Sequence, residues 1–154
     1  MLVSQNIKQM SLAFLITLGV LFHCTEARAG SAETLVVAGG CFWCVEADFE
    51  GVPGVISAVS GYTGRSDKNP TYKQVTRGGT GHYEAVKITF DATRVSRDTL
   101  LSLFFRSVDP TDAGGQFCDR GNSYRTAIFV NGAAQKKAVE TAKPMPSQRL
   151  ATTS

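Results

Sequence analysis

The chain has 154 residues, 43% of them hydrophobic and 19% charged, with a formal net charge of +3, an ordinary globular composition. Sixteen basic against thirteen acidic residues, with no run of like charge, argue against a nucleic-acid surface or a polybasic membrane patch. Four cysteines are too few for a disulfide-dense miniprotein, and the length permits one domain with a real core.

Residues 1–29 have the grammar of an export signal: a polar start with Lys8, an apolar run from Ser11 to Phe22, then Ala27-Arg28-Ala29 as an A-x-A cleavage site. The apolar run is about a dozen residues, short of the roughly 20 that span a bilayer. Leu21, Phe22 and His23 put bulky groups before Cys24, where a lipoprotein would carry small ones. Cleavage after Ala29 removes Cys24, leaves Cys41, Cys44 and Cys118, and places the protein in an exported compartment, periplasmic or secreted. Thiols are pushed toward disulfides there.

Thr34 to Ala38 reads as a short buried strand, stopped by Gly39-Gly40 and followed by a helix from Cys41 to Glu50. Pro53-Gly54 turns the chain into a second strand, Val55 to Ser60, which ends at Gly61. From Gly61 to His82 the sequence is polar and Gly-rich, a loop long enough to suggest function. Glu84 to Phe90 alternates as a half-buried strand. Ser96 is placed to cap a helix whose Leu100, Leu101, Phe104, Phe105 and Val108 form one apolar stripe. After a second irregular stretch, Thr111 to Tyr124, come a strand from Thr126 to Val130 and a final helix over Ala133 to Lys143. This order, β-α-β-β-α-β plus a helix, predicts an α/β (α+β) two-layer sandwich with a ferredoxin-like βαββαβ core. The domain is expected over residues 30–143. The tail, 144–154, lacks apolar periodicity and is expected to be disordered.

The densest chemistry lies in Gly39 to Glu46 (GGCFWCVE), where a buried strand turns into a helix. A sulfur at a helix start meets unpaired N–H groups and the positive end of the dipole, which favour its thiolate, so Cys41 is the candidate nucleophile. Phe42 and Trp43 offer apolar walls suited to a methyl or thioether group. Cys44 lies one turn on and can capture an oxidised Cys41. An inert buried cysteine, a zinc site using Cys41, Cys44, Cys118 and His82, and a thioredoxin-like pair are the rivals. Zinc sites normally draw on a second close pair, and here Trp43 lies between the cysteines rather than before them. Glu84, at the edge of the Gly-rich loop, is a candidate acid if partly desolvated, and Glu46 competes for that role. Tyr72, Asp119 and Tyr124 are polar groups able to orient an oxygen.

Gly40 to Glu46, Ser60 to Gly64, Asn69 to Tyr72, Gly81 to Val86, Asp109 to Thr111 and Asp119 to Arg125 resemble, in order and spacing, the A-type peptide methionine sulfoxide reductases. The likeness runs from about Thr34 to Val130. It implies that Cys41 attacks the sulfoxide sulfur, that Glu84 protonates its oxygen, and that Tyr72, Asp119 and Tyr124 help to hold that oxygen. Phe42 and Trp43 would form the methyl pocket. It further implies specificity for the S epimer, action on oxidised proteins and free methionine sulfoxide, no bound cofactor or metal, and an external reductant, thioredoxin or a similar dithiol. Cys44 is the first candidate for the resolving thiol and Cys118 the second. A monomer is expected. Many members carry His where this chain has Val108, and the family usually continues beyond the last helix with an aromatic-rich segment. The ending at Ser154 therefore reads as a shortened product, and an inactive remnant stands as an alternative beside a zinc-binding or generic thiol-disulfide exchange module.

Overall fold

The computed structural model describes residues 32–65, 68–142 and 152–153. The export signal and its cleavage site lie outside the described residues, as does most of the tail. Strand β1 (Ala32–Ala38) leads into helix α1 (Phe42–Glu50), β2 (Val55–Thr63), a short α2 (Tyr72–Thr76), β3 (Tyr83–Asp91) and α3 (Arg97–Ser107). A small hairpin, β4 (Gly115–Gln116) and β5 (Asp119–Arg120), and a 3-10 turn at Asn122–Tyr124 precede β6 (Ala127–Phe129), α4 (Ala133–Thr141) and β7 (Thr152–Thr153).

The main sheet has the order β2-β3-β1-β6-β7. β1 lies between β3 and β6 and is antiparallel to both, while β2 and β3 form an antiparallel hairpin. The strand that intervenes in each β-α-β crossover makes this the split arrangement read from the sequence. The alternation of side chains along each strand sorts the two faces. Leu35, Val37, Ala58, Val86, Ile88, Phe90 and Ile128 face the helices and form one buried core with Phe42, Val45 and Phe49 of α1 and Leu100, Leu101, Phe104 and Phe105 of α3. Burying each such large apolar side chain contributes roughly 1.5–3 kcal/mol. The opposite face carries a smaller cluster, Ala38, Ala85 and Ala127, with Tyr83 and Phe129 packed against it.

Three local readings change. β2 does not stop at Gly61 but runs to Thr63, because Tyr62 and Thr63 find partners opposite in Glu84 and Tyr83. The long polar segment contains α2, opened by a capping box in which Thr71 and Gln74 satisfy each other's backbone N–H groups. The second irregular stretch contains the β4–β5 hairpin, whose strands join through only Phe117 and Cys118. Of the tail, only Thr152–Thr153 lie among the described residues, and they pair in parallel with Ile128 and Phe129. The helix capped by Ser96 forms as expected, the Ser96 side chain accepting from the Thr99 N–H.

Candidate active site

The site begins with two glycines that do different things. A Cβ on Gly39 would stand 2.8 Å from Val108 Cγ1 and 3.1 Å from Phe104 Cε2, so the residue lets the end of β1 lie directly against α3. Gly40 has φ +88, and a Cβ there would meet the Cβ of Gln116 at 2.7 Å. Its lack of a side chain brings the β4–β5 hairpin against the start of α1.

Cys41 occupies the N-cap position of α1, with φ −58 and ψ 115 and no side-chain cap bond. Its carbonyl accepts from the N–H groups of Cys44 (3.1 Å) and Val45 (3.2 Å), which starts the helix without using the sulfur. The thiol is half-buried. The expectation that the first N–H groups of the helix serve this sulfur needs refinement. The Phe42 N–H donates instead to Oε2 of Glu84, 3.2 Å away and 42 residues on in sequence.

Glu84 is 2% exposed, and its Oε1 is buried without a hydrogen-bond partner. Burial pushes its pKa up; the Phe42 N–H pulls the other way, and the nearby Asp119 charge adds to the rise. A carboxyl group held in this way favours its protonated form more than a solvated glutamate does. An orphaned buried oxygen costs about 1–3 kcal/mol, a cost that a substrate oxygen accepting its proton would remove. Glu46 is the contrast. Its Oε2 accepts from the Ser60 backbone N–H at 2.7 Å and from the Ser60 hydroxyl, so that carboxylate ties α1 to β2.

Two tyrosines lie near Glu84. Tyr62 lies directly opposite it in the β2–β3 register. Burial, then the charges of Glu84 and Tyr72, raises the Tyr62 pKa; Tyr124, on the 3-10 turn, is raised by burial, then by Glu84, Tyr72, Asp119 and Cys41. Both therefore stay neutral phenols, able to donate a hydrogen bond to an oxygen. Of the five residues expected to act together, Tyr124 lies within electrostatic reach of the other four, Cys41, Tyr72, Glu84 and Asp119. Tyr62 joins them unannounced. No local signal within Ser60 to Gly64 gives it a role, and only the hairpin register places it opposite Glu84.

The aromatic pair divides its labour. Phe42 is buried, with its ring centroid 5.7 Å from Tyr62 and 6.4 Å from Tyr72. Trp43 is exposed and stacks on Tyr72 at 6.0 Å, forming an apolar wall at the mouth. Among the described residues Cys41, Cys44 and Cys118 are all free thiols. A hydrogen bond to Cys41 is the main cause of the raised pKa of Cys44, followed by burial and by the charges of Cys41, Asp119 and Asp48, so Cys44 stays a thiol beside its neighbour. Cys118 stands exposed at the tip of the β4–β5 hairpin, outside that hydrogen bond. The zinc alternative requires a ligand cluster, and the described residues contain no group of three or more His, Cys, Asp or Glu able to hold a metal.

A family model described as peptide methionine sulfoxide reductase matches residues 33–152. The peptide methionine sulfoxide reductase MsrA 2 of Caulobacter vibrioides is 49% identical over 146 residues, covering 94% of this chain and 74% of that protein. The MsrA of Bacillus subtilis is 51% identical over 119 residues, covering 77% of this chain and 65% of that one. Among solved structures, methionine sulfoxide reductase A of Corynebacterium diphtheriae superposes with a TM-score of 0.69 at 33% identity, covering 82% of this chain and 65% of that chain. The chain thus spans about two thirds of the length of several of the curated relatives it matches.

Proposed function

The chain belongs to the peptide methionine sulfoxide reductase family, and on that premise we propose that it reduces methionine-S-sulfoxide, free or within a polypeptide, to methionine. The observation that carries this reading is the Glu84 carboxyl group. It is buried, bonded to the first N–H of the helix that begins at Cys41, and left with one oxygen unpartnered.

In this reading Cys41, as thiolate, attacks the sulfoxide sulfur. The sulfoxide oxygen is a poor leaving group until protonated, and Glu84 supplies the proton while Tyr62, Tyr72 and Tyr124 surround the oxygen. The attack joins the Cys41 sulfur to the methionine sulfur; the protonated oxygen then passes from the methionine sulfur to the Cys41 sulfur as that S–S bond breaks, so methionine departs as the thioether and Cys41 is left as a sulfenic acid. The Cys44 thiol then attacks the Cys41 sulfur, an S–S bond forms and water leaves. An external dithiol such as thioredoxin returns the two electrons by exchange, so that each sulfoxide consumes two thiols and yields one disulfide and one water. The export-signal pattern of residues 1–29 supports action outside the cytoplasm, and a mature protein found by N-terminal sequencing to begin at Gly30 is the expected result.

The deciding assay incubates the purified protein with dithiothreitol and each sulfoxide epimer. Methionine from the S epimer only is the expected result; none from either overturns the reading. Mass spectrometry after one equivalent of substrate should find Cys41 joined to Cys44. A link from Cys41 to Cys118 would transfer the resolving role to the hairpin.

A further inference from the structure

The β4–β5 hairpin turns through only two residues, and the first of them, Phe117, has φ +52. That is the left-handed region, which disfavours a residue with a Cβ by roughly 1–2 kcal/mol and which glycine adopts freely. The ring finds no compensation in packing. Phe117 is 70% exposed, more than Trp43 at 61% or Tyr72 at 50%. An aromatic residue is thus held where the backbone favours glycine and solvent favours a polar group. Such departures from local preference concentrate at functional sites.

The support beneath this ring is firm. Gln116 is 1% exposed; its Oε1 accepts from the Asp109 N–H at 2.7 Å, and its Nε2 donates to the carbonyls of Asp109 and Gly115, each at 2.7 Å. Arg120 binds both carboxylate oxygens of Asp112, and the Gly121 N–H donates to the Gly114 carbonyl at 2.9 Å. The hairpin also abuts the site from both strands. Gln116 packs against Gly40, and the Asp119 charge acts on Glu84, Cys44 and Tyr124. The two-residue tip is therefore flanked on both sides by residues that meet the site, Gln116 at Gly40 and Asp119 through its charge.

We propose that Phe117 is a specificity-determining residue that packs against the polypeptide flanking an oxidised methionine, so that the enzyme favours protein-bound over free sulfoxide. The proposal rests on the reading of Cys41 as the sulfoxide-reducing thiol. The reacting side chain is small and already has Phe42 and Trp43 beside the sulfur. A ring at the hairpin tip has reach only for something larger, the residues on either side of that methionine. The stacked Trp43 and Tyr72, both exposed, offer further apolar surface to the same flanking residues.

The test compares wild type with Phe117→Gly and Phe117→Tyr, using dithiothreitol and two substrates: free methionine-S-sulfoxide and a blocked heptapeptide with that residue at its centre. Phe117→Gly should leave kcat/KM for the free substrate within about twofold and lower that for the peptide by about five- to tenfold, chiefly through KM; Phe117→Tyr should restore it. Trp43 is the only tryptophan of the chain, so its fluorescence reports peptide binding directly in a Cys41→Ser background. There Phe117→Gly should weaken the peptide by the same factor. Equal change for both substrates, or an unchanged peptide affinity, overturns the proposal. So does a loss confined to thioredoxin-driven turnover, which would make the tip a reductant contact. Failure of wild type to make methionine while the fluorescence difference persists would sink the reading of Cys41 and leave the Phe117 contact standing.

Discussion

Two strand-to-helix junctions in this protein, β1 to α1 and β3 to α3, join similar elements by opposite means. At the second, Asp91 accepts from the Thr93 N–H and hydroxyl, its carbonyl takes the N–H groups of Arg94 and Val95, and Ser96 caps α3 through the Thr99 N–H. Asp98 adds an acidic group in the first turn, where the helix dipole favours one. Every one of these bonds is local and serves the fold. At the first junction the N-cap is a cysteine without a cap bond, no acidic residue stands in the first turn, and the Phe42 N–H reaches a glutamate on another strand. The unused Oε1 and the half-buried thiol remain for something the protein does not itself contain. Satisfied polar groups mark the structural junction, and unsatisfied ones mark the reactive junction.

The largest expected effect attacks the reactive junction at its acid. Glu84→Gln keeps the acceptor for the Phe42 N–H but removes the proton donor, and kcat should fall by about 10²–10³, at the lower end of what a general acid supplies. Burial raises the folded-state pKa of Glu84 above its unfolded value, so the folded protein binds the proton more tightly than the unfolded chain. Stability from this residue is complete below the ordinary glutamate value of about 4.3 and is lost as pH rises through the raised value. Denaturation midpoints measured across that window should show Glu84→Gln gaining on wild type as pH rises, while the alkaline fall in kcat caused by Glu84 disappears. A variant less stable than wild type at neutral pH would mean that the carboxylate serves the fold, and the contrast between the junctions would collapse.

Gly40→Ala tests whether the reactive junction depends on close approach. The substitution combines a left-handed φ with a Cβ–Cβ distance of 2.7 Å to a Gln116 side chain that three hydrogen bonds hold in place. A loss of roughly 2–4 kcal/mol in urea denaturation is expected, with reduced turnover, because the hairpin carrying Asp119 must move. Unchanged stability would show that the hairpin is more compliant than its bonds suggest.

The layered fold was legible because its signals are periodic. The Leu100-to-Phe105 stripe, the alternation along Glu84 to Phe90 and the Ser96 cap each state local structure in local sequence. The thiol turn was legible for another reason: its glycines and cysteines are contiguous. What escaped was pairing across distance. Nothing near Tyr62 indicates that β2 runs past Gly61, and it does so only because Glu84 and Tyr83 lie opposite. The Phe42–Glu84 bond likewise depends on strands brought together by the fold, as does the tie of Glu46 to Ser60; the family resemblance already chooses Glu84 over Glu46 as the acid, where the residues alone leave both open. Tyr62→Phe therefore examines what the sequence reading missed. If its phenol donates to the sulfoxide oxygen, kcat should fall about tenfold with stability nearly unchanged. Wild-type kinetics would assign Tyr62 to packing against Phe42 alone.

The smallest effect belongs to the structural junction and supplies its control. Ser96→Ala removes the oxygen that accepts from the Thr99 N–H at 3.1 Å and breaks the Ser96–Thr99 hydroxyl contact at 2.8 Å. Both groups are exposed, so water replaces much of what is lost, and the cost should be about 1 kcal/mol, the usual worth of such a cap. Because these bonds lie at the exposed start of α3, whereas the helix packs against Gly39 through Phe104, kcat and KM for methionine-S-sulfoxide should both stay within about twofold of wild type. Stability and activity would then separate by junction: Ser96→Ala loses the first and keeps the second, and Glu84→Gln does the reverse. A fall in turnover on Ser96→Ala that matched its fall in stability would show the two junctions to be coupled through the Phe104–Gly39 contact.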